Sequence, residues 1–306
     1  MKKYRSYATR VFILLLARFL FLGCIPLSDD GDPQELVFGV VASSDPDAQL
    51  NRMNKVVAYL SEELNMPLKY VKGTDYAAVI EAMKTEKVDI ASTGSFSYLI
   101  ASAKARAEPL VATRYRNGGM NNYGSIIFTR AESNIQSMDD VKARSGELSI
   151  AFSDPASTSG YLYPMSYLRS IGLEPGEKFK ERLFAGGHTA GIFSALAGKV
   201  DLACTTSSSL EKLARAGRIE PNSYRVLWRS DEIPPSPVYV RAELPESIKQ
   251  NIREAYVNMD EKALEVMEYV RGMYNKDLVY VPVTDSLYTD MRSLVNKELE
   301  NIAQTP

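Results

Sequence analysis

Apolar positions fall into two alternating rhythms along most of the chain. Short runs rich in Val, Ile and Leu (LVFGVVA at 36–42, LKYV at 68–71, VDIAST at 88–93, PLVATRY at 109–115) alternate with longer stretches. In these, QLNRMNKVVAYLSEELN (49–65), YAAVIEAMKTEK (76–87) and FSYLIASAKA (96–105), apolar residues recur every three or four positions. The first pattern predicts strands and the second amphipathic helices. The rhythm resumes with GELSIAFS (146–153), GYLYPMSYLRSIG (160–172), RLFAG (182–186), TAGIFSALAGK (189–199), VDLACT (200–205), SLEKLARAG (209–217) and YRVLWRS (224–230). Strands alternating with crossover helices predict two α/β units, each on a mostly parallel sheet.

The two units share short words. VVASSDPDA and SIAFSDPAS both run a strand into Ser-Asp-Pro before a helix, and EKVDIASTGS and GKVDLACTTSS both run a helix into a Val-Asp strand. The first Asp precedes the second by 44 residues in one unit and by 47 in the other. This predicts two similar lobes: the first part of lobe 1 over 36–124, lobe 2 over 125–235, and a return over 236–306 whose amphipathic helices pack on lobe 1. The crossovers fall near NNYGSIIF (121–128) and SDEIPPSPVYV (230–240), the second stiffened by Pro234, Pro235 and Pro237.

Ligands of open parallel sheets bind beyond the carboxyl ends of the strands, and here those ends are rich in hydroxyls. They are Ser43-Ser44, Ser92-Thr93-Gly94-Ser95, Ser153 with Ser157-Thr158-Ser159, and Thr205 to Ser209. One Ser or Thr suffices to cap each following helix, so the longer runs predict a polar cleft between the lobes.

The amino terminus stands apart from this scheme. MKKYRSYATR carries four positive charges and VFILLLARFLFLGC follows, an apolar segment too short to span a bilayer. The layout is that of a secretory signal over residues 1–23, with a tether over 24–35. LFLGC resembles a bacterial lipobox, which makes Cys24 a lipidation site and the membrane a partner through that lipid. The whole chain has a net charge of −2. Removing residues 1–23 takes five positive charges and leaves 31 against 38, a net −7. Such acidity argues against nucleic acid. With Cys24 acylated, Cys204 has no partner and a disulfide framework is excluded.

The stretch DPASTSGYLYP (154–164) concentrates the candidate chemistry. A helix amino terminus presents unpaired N–H groups and about half a positive charge, which suits an oxyanion. Ser157, Thr158 and Ser159 add donors, Gly160 lets the backbone approach closely, and Pro164 is tolerated in a first helical turn. His188, the only histidine, lies in the glycine-flanked loop FAGGHTAG and is a further donor to the same anion, as imidazolium or as a neutral N–H tautomer.

DPASTSGYLYP, AGGHTAG, KGTDYAAVIEAMKTEKVDIAS and KVDLACTTSSSLEKL resemble the phosphonate-binding proteins of ABC importers, within the phosphate/phosphite/phosphonate-binding group, over roughly Leu36 to Arg241. The resemblance implies an α/β, two-lobed periplasmic-binding-protein fold of type II, with the ligand cleft between the lobes. It implies a monomer that serves a permease and an ATPase and carries a small phosphorus oxyanion. Ser157, Thr158, Ser159 and His188 would hold the oxyanion, and Tyr76 would line the cleft from the other lobe. The chain also departs from the aminoethylphosphonate-binding members. Thr93 stands where they carry a Tyr, and Ser208 and Ser236 align with the two carboxylates that meet their ligand's ammonium. A small or neutral substituent is therefore expected.

Three rival readings are weaker. A hydrolase with Ser157 or Ser159 as nucleophile and His188 as base lacks the Gly-x-Ser-x-Gly elbow. A metal site has one His, one internal Cys and only dispersed carboxylates such as Asp45, Asp75 and Asp154, so neither a metal nor another cofactor is expected. A ligand-binding module of a membrane sensor shares every feature of the sequence. Sulfonates and amino acids stay open as ligands, although no carboxylate-binding Arg with an acidic amine partner is evident in the cleft loops.

Overall fold

The computed structural model describes residues 33–41, 46–274 and 276–304. The signal segment, Cys24, Ser43, Ser44 and Asp45 lie outside the described residues. The first sheet is built from β1 (Leu36–Val41), β2 (Leu68–Gly73), β3 (Ile90–Ala91) and β4 (Ala107–Tyr115), joined by α1 (Pro46–Glu63), α2 (Tyr76–Lys84) and α3 (Ser95–Ala105). The second is built from β5 (Ser125–Arg130), β6 (Ser149–Phe152), β7 (Glu181–Phe184), β8 (Leu202–Thr206) and β9 (Tyr224–Arg229). Its helices are α4 (Met138–Arg144), α5 (Tyr163–Ser170), α6 (Pro175–Lys178), α7 (His188–Leu196) and α8 (Ser207–Arg215). The chain then rejoins the first sheet through β10 (Val238–Arg241), α9 (Glu246–Lys262), α10 (Leu264–Tyr274), β11 (Leu278–Pro282) and α11 (Thr289–Gln304).

Strand order is β11-β4-β10-β3-β1-β2 in one sheet and β7-β6-β8-β5-β9 in the other. The trios β2-β1-β3 and β7-β6-β8 match and are parallel. The remaining strands differ from the mostly parallel expectation. β5 and β10 arrive from the opposite sheet and therefore run antiparallel to β8 and β3, and β4, β9 and β11 add further antiparallel pairs. The first sheet thus has two parallel and three antiparallel pairs, and the second has two of each.

The repeated Val-Asp words occupy equivalent places in the two lobes. The Asp89 carboxylate accepts the Val37 N–H at 2.8 Å, and that of Asp201 accepts the Ser149 N–H at 2.8 Å. In both cases an acid just before the third strand satisfies an amide at the start of the first, a donor that would otherwise cost free energy when buried. Lobe 1 adds a buried pair, Arg241 Nε to Asp89 at 2.7 Å, which ties returning strand β10 to the same carboxylate.

Apolar layers cover both faces of each sheet. Phe38, Leu60, Val240, Ile252 and Met267 pack on one face of the first. Ile80, Met83, Tyr98, Tyr288 and Met291 pack on the other. Ile150, Phe152 and Leu168 oppose Phe128, Ile192 and Leu210 across the second. Burying one such side chain is worth roughly 1.5–3 kcal/mol, and Cys204 sits in this core as a free thiol. The two crossings pair with each other: Tyr123 donates its N–H to Ile233 and receives that of Ile233, at 3.1 and 2.8 Å. Two carbonyls beyond this bridge are held on lobe 1, Pro234 by the Ser95 hydroxyl at 2.8 Å and Pro235 by the Tyr288 hydroxyl at 3.0 Å. The second crossing is therefore fixed to lobe 1 just before β10.

Candidate ligand-binding site

A cleft of ≈ 390 Å³ lies between the strand ends of the two sheets. Tyr76, Thr93 and Gly94 line it from lobe 1, and Ser157, Thr158, Ser159, His188 and Ser208 from lobe 2, with Ser236 on the second crossing. The side chains expected in the site from the sequence are thus brought together around one space.

The loop after β6 is shaped by its own hydrogen bonds. The Asp154 carboxylate, 5% exposed, accepts the Ala156 N–H at 2.7 Å and the backbone N–H of Tyr76 from the other lobe. Burial pushes its carboxyl up against the pull of those donors. Ser157 Oγ accepts the Gly160 N–H at 3.1 Å as a helix cap. The first turn is a wide one over Thr158–Leu162, followed by α5 from Tyr163, where a plain α-helix from Ser159 or Gly160 was expected. Pro164 explains the difference. It has no N–H to give the Gly160 carbonyl, which instead accepts the Ser153 N–H at 3.0 Å, while the Thr158 carbonyl takes the N–H of Tyr163. A Cβ on Gly160 would lie 2.3 Å from Ser153 Oγ and 2.8 Å from Ser157 Oγ, so this turn requires glycine.

His188 is the first residue of α7 and not part of the loop before it. Its Nδ1 lies 3.0 Å from both Ser153 Oγ and Thr205 Oγ1. Ser153 donates its hydrogen to the Cys204 carbonyl at 3.0 Å, and Thr205, fully buried, has His188 Nδ1 as its hydrogen-bond partner. Ser153, its hydrogen committed to Cys204, can only accept from Nδ1, whereas Thr205 can give or accept there, so the two hydroxyls hold the ring by Nδ1 without fixing its tautomer. Burial pushes the imidazole pKa down to about 4. The ring is a neutral imidazole in the cleft wall, which removes the imidazolium alternative at neutral pH.

Many of the cleft hydroxyls are already engaged. Thr206 Oγ1 caps α8 by accepting the Ser209 N–H at 2.9 Å and lies 2.7 Å from Ser208 Oγ. Thr93 Oγ1 lies 2.8 Å from the hydroxyl of buried Tyr239, Tyr76 is hydrogen-bonded to Ser157, and Thr158 Oγ1 accepts the Phe96 N–H at 2.9 Å. Ser159 differs: it is 2% exposed, and its side chain makes no hydrogen bond within the described residues. The long hydroxyl runs thus divide into caps, groups that orient His188, and a few groups left for a ligand.

Sequence reasoning missed several neighbours. Ser153 and Thr205 orient His188, and only their positions at strand ends signalled them. The cleft is also lined by Arg52, Lys212, Arg215 and Lys276 against one carboxylate, Glu211, among the described residues. These come from α1, α8 and the segment before β11, and no local motif marks them. The hydrolase reading loses its geometry, because His188 Nδ1 engages Ser153 and Thr205 and no bond joins the ring to Ser157 or Ser159. Among the described residues no group of His, Cys, Asp or Glu is placed to hold a metal ion, and no helix is long and apolar enough to cross a membrane.

Residues 38–288 match the family described as ABC transporter, phosphonate, periplasmic substrate-binding protein. The chain belongs to this family. It is 26% identical to the phosphonates-binding periplasmic protein of Escherichia coli K12 over 291 residues, 92% of this chain and 85% of that protein. A phosphate-import protein of Mycolicibacterium smegmatis is 25% identical over 278 residues, covering 86% and 85%. The crystal structure of a binding-protein component of a Pseudomonas aeruginosa ABC phosphonate transporter superposes with a TM-score of 0.76 at 25% identity, covering 86% of each chain. The fold is accordingly the two-lobed type II periplasmic-binding-protein fold. This substrate-binding protein is an extracytoplasmic component of an ABC importer, and its family binds substrates without converting them.

Proposed function

We propose that this substrate-binding protein captures a small phosphorus oxyanion, a simple phosphonate, phosphite or phosphate, for import. The Ser157–Ser159 loop and His188 hold the oxygens, and Tyr76 closes on them from lobe 1. Supporting the reading most directly is the convergence of two groups on the cleft: the nearly buried Ser159 hydroxyl without a protein partner, and the neutral imidazole of His188. A hydroxyl that opens on the cleft without a protein partner is free to donate to a ligand, and an oxyanion at the amino-terminal turn of a helix is a suitable acceptor. The relatives named for phosphonates and for phosphate import agree with this head group.

The lining of the same cleft includes Thr93, Ser208 and Ser236 and the four cations named above against Glu211. An ammonium buried there would lose its water and meet mostly positive charge, so methylphosphonate, phosphite and phosphate are preferred over aminoethylphosphonate. A thermal-shift panel tests the ligand class. A ligand at about 100 times its Kd adds about 2.7 kcal/mol of apparent stability. Phosphonate, phosphite or phosphate should raise the Tm, and a rise with sulfonates or amino acids alone would overturn the reading.

The proposal includes a lipid on Cys24 that tethers the mature chain to the outer face of a membrane. Cys24→Ser should move the protein from the membrane fraction to the soluble fraction, and retention in the membrane contradicts the tether.

A further inference from the structure

Helix α3 begins without a cap of its own. Its cap position is Gly94, which has no side chain, whereas the corresponding position before α8 is Thr206, whose hydroxyl accepts the Ser209 N–H at 2.9 Å. The missing acceptor is supplied from the opposite lobe. Thr158 Oγ1 receives the Phe96 N–H at 2.9 Å, the second amide of α3, and both residues are buried, at 3% and 8% exposure. This is the geometry of an N-cap side chain, delivered across the cleft by the middle residue of the head-group loop. Its neighbours make the same crossing: the Asp154 carboxylate accepts the Tyr76 backbone N–H, and Ser157 is bonded to the Tyr76 side chain.

From this we infer that Thr158 is a positioning residue for lobe closure: its hydroxyl caps α3 in trans and draws lobe 1 onto the loop that holds the ligand. With the lobes apart, the Phe96 N–H faces the cleft and water can satisfy it. With the lobes together it is buried, and Thr158 is the group that pays for that burial. Gly94 is part of the device on two counts. A capping side chain there would satisfy the amide within lobe 1 and remove the reward for closing. A Cβ at Gly94 would also lie 3.2 Å from Thr158 Oγ1, so its absence leaves room for the incoming hydroxyl. The role adds to the proposed ligand reading and uses methylphosphonate only as a probe.

The test combines Thr158→Val, which keeps the shape and removes the hydroxyl, with Gly94→Ser, which gives α3 its own cap. Small-angle scattering without ligand should show both variants more open than wild type. Both should release methylphosphonate faster and bind it more weakly, by about 2- to 30-fold for one helix cap. Gly94→Ser should at the same time raise the Tm of the ligand-free protein, a combination that damage to the fold does not produce. Gly94→Ala, with the same Cβ and no oxygen, should lose less affinity than Gly94→Ser. In the Gly94→Ser background, Thr158→Val should cost little more. Wild-type scattering and release in both variants overturn the inference. So does an equal loss from Thr158→Val in both backgrounds, which would make the loss independent of the α3 cap, or an equal loss from Gly94→Ala and Gly94→Ser. If wild type binds no phosphonate, the ligand reading fails and scattering alone decides the closure role.

Discussion

At the scale of single residues the site depends on how His188 is held. Its imidazole Nδ1 lies between two hydroxyls, one of which already donates to the Cys204 carbonyl. Burial then holds its pKa at about 4, below the ordinary 6.5. Protonation therefore favours the unfolded chain. The stabilising contribution is fully present above pH 6.5 and declines as pH falls from there toward 4. Because His188 is the only histidine, its ring resonances can be followed by NMR without assignment. They should titrate near pH 4 in the ligand-free protein, and a midpoint near 6.5 would contradict the neutral imidazole. The candidate role of His188 was legible in FAGGHTAG, but the hydroxyls that hold it were not. Its two partners lie 35 and 17 residues away and meet it only because β6, β8 and α7 converge.

At the scale of elements the sequence was most informative where periodicity and repetition agree. The Val-Asp words marked equivalent strands, and the structure supplies the cause: Asp89 and Asp201 each satisfy an amide of the neighbouring first strand. Strand direction was less legible. The apolar rhythm of β5 and β10 matches that of the parallel strands, and their antiparallel setting follows from entering each sheet from the other lobe. The turn over Thr158–Leu162 was half legible. Pro164 placed it in a first helical turn, but its widening depends on the Gly160 carbonyl finding the Ser153 N–H. The division of labour among hydroxyls was hidden for a related reason. Ser95 and Ser159 occur in similar runs, yet one pins the Pro234 carbonyl and the other faces the cleft.

At the scale of the whole molecule, two lobes built on matching parallel trios meet along a cleft lined by polar groups from both. The crossing at Tyr123 and Ile233 joins the lobes, Pro234 and Pro235 fix one strand of that crossing to lobe 1, and Thr158 reaches across to α3. In the proposed account capture and closure use adjacent residues of one loop, which suits a carrier that must hold its ligand until it meets its transporter. The central claim is that Ser159 and His188 bind a phosphorus oxyanion directly. Hydrogen bonds to a charged partner are worth roughly 1.5–3 kcal/mol, or about 10- to 150-fold in affinity. Isothermal titration of methylphosphonate into wild type, Ser159→Ala and His188→Ala measures this most directly. The account predicts saturable wild-type binding and a loss of that size in each variant with the fold intact. Wild-type affinity in both variants would contradict it.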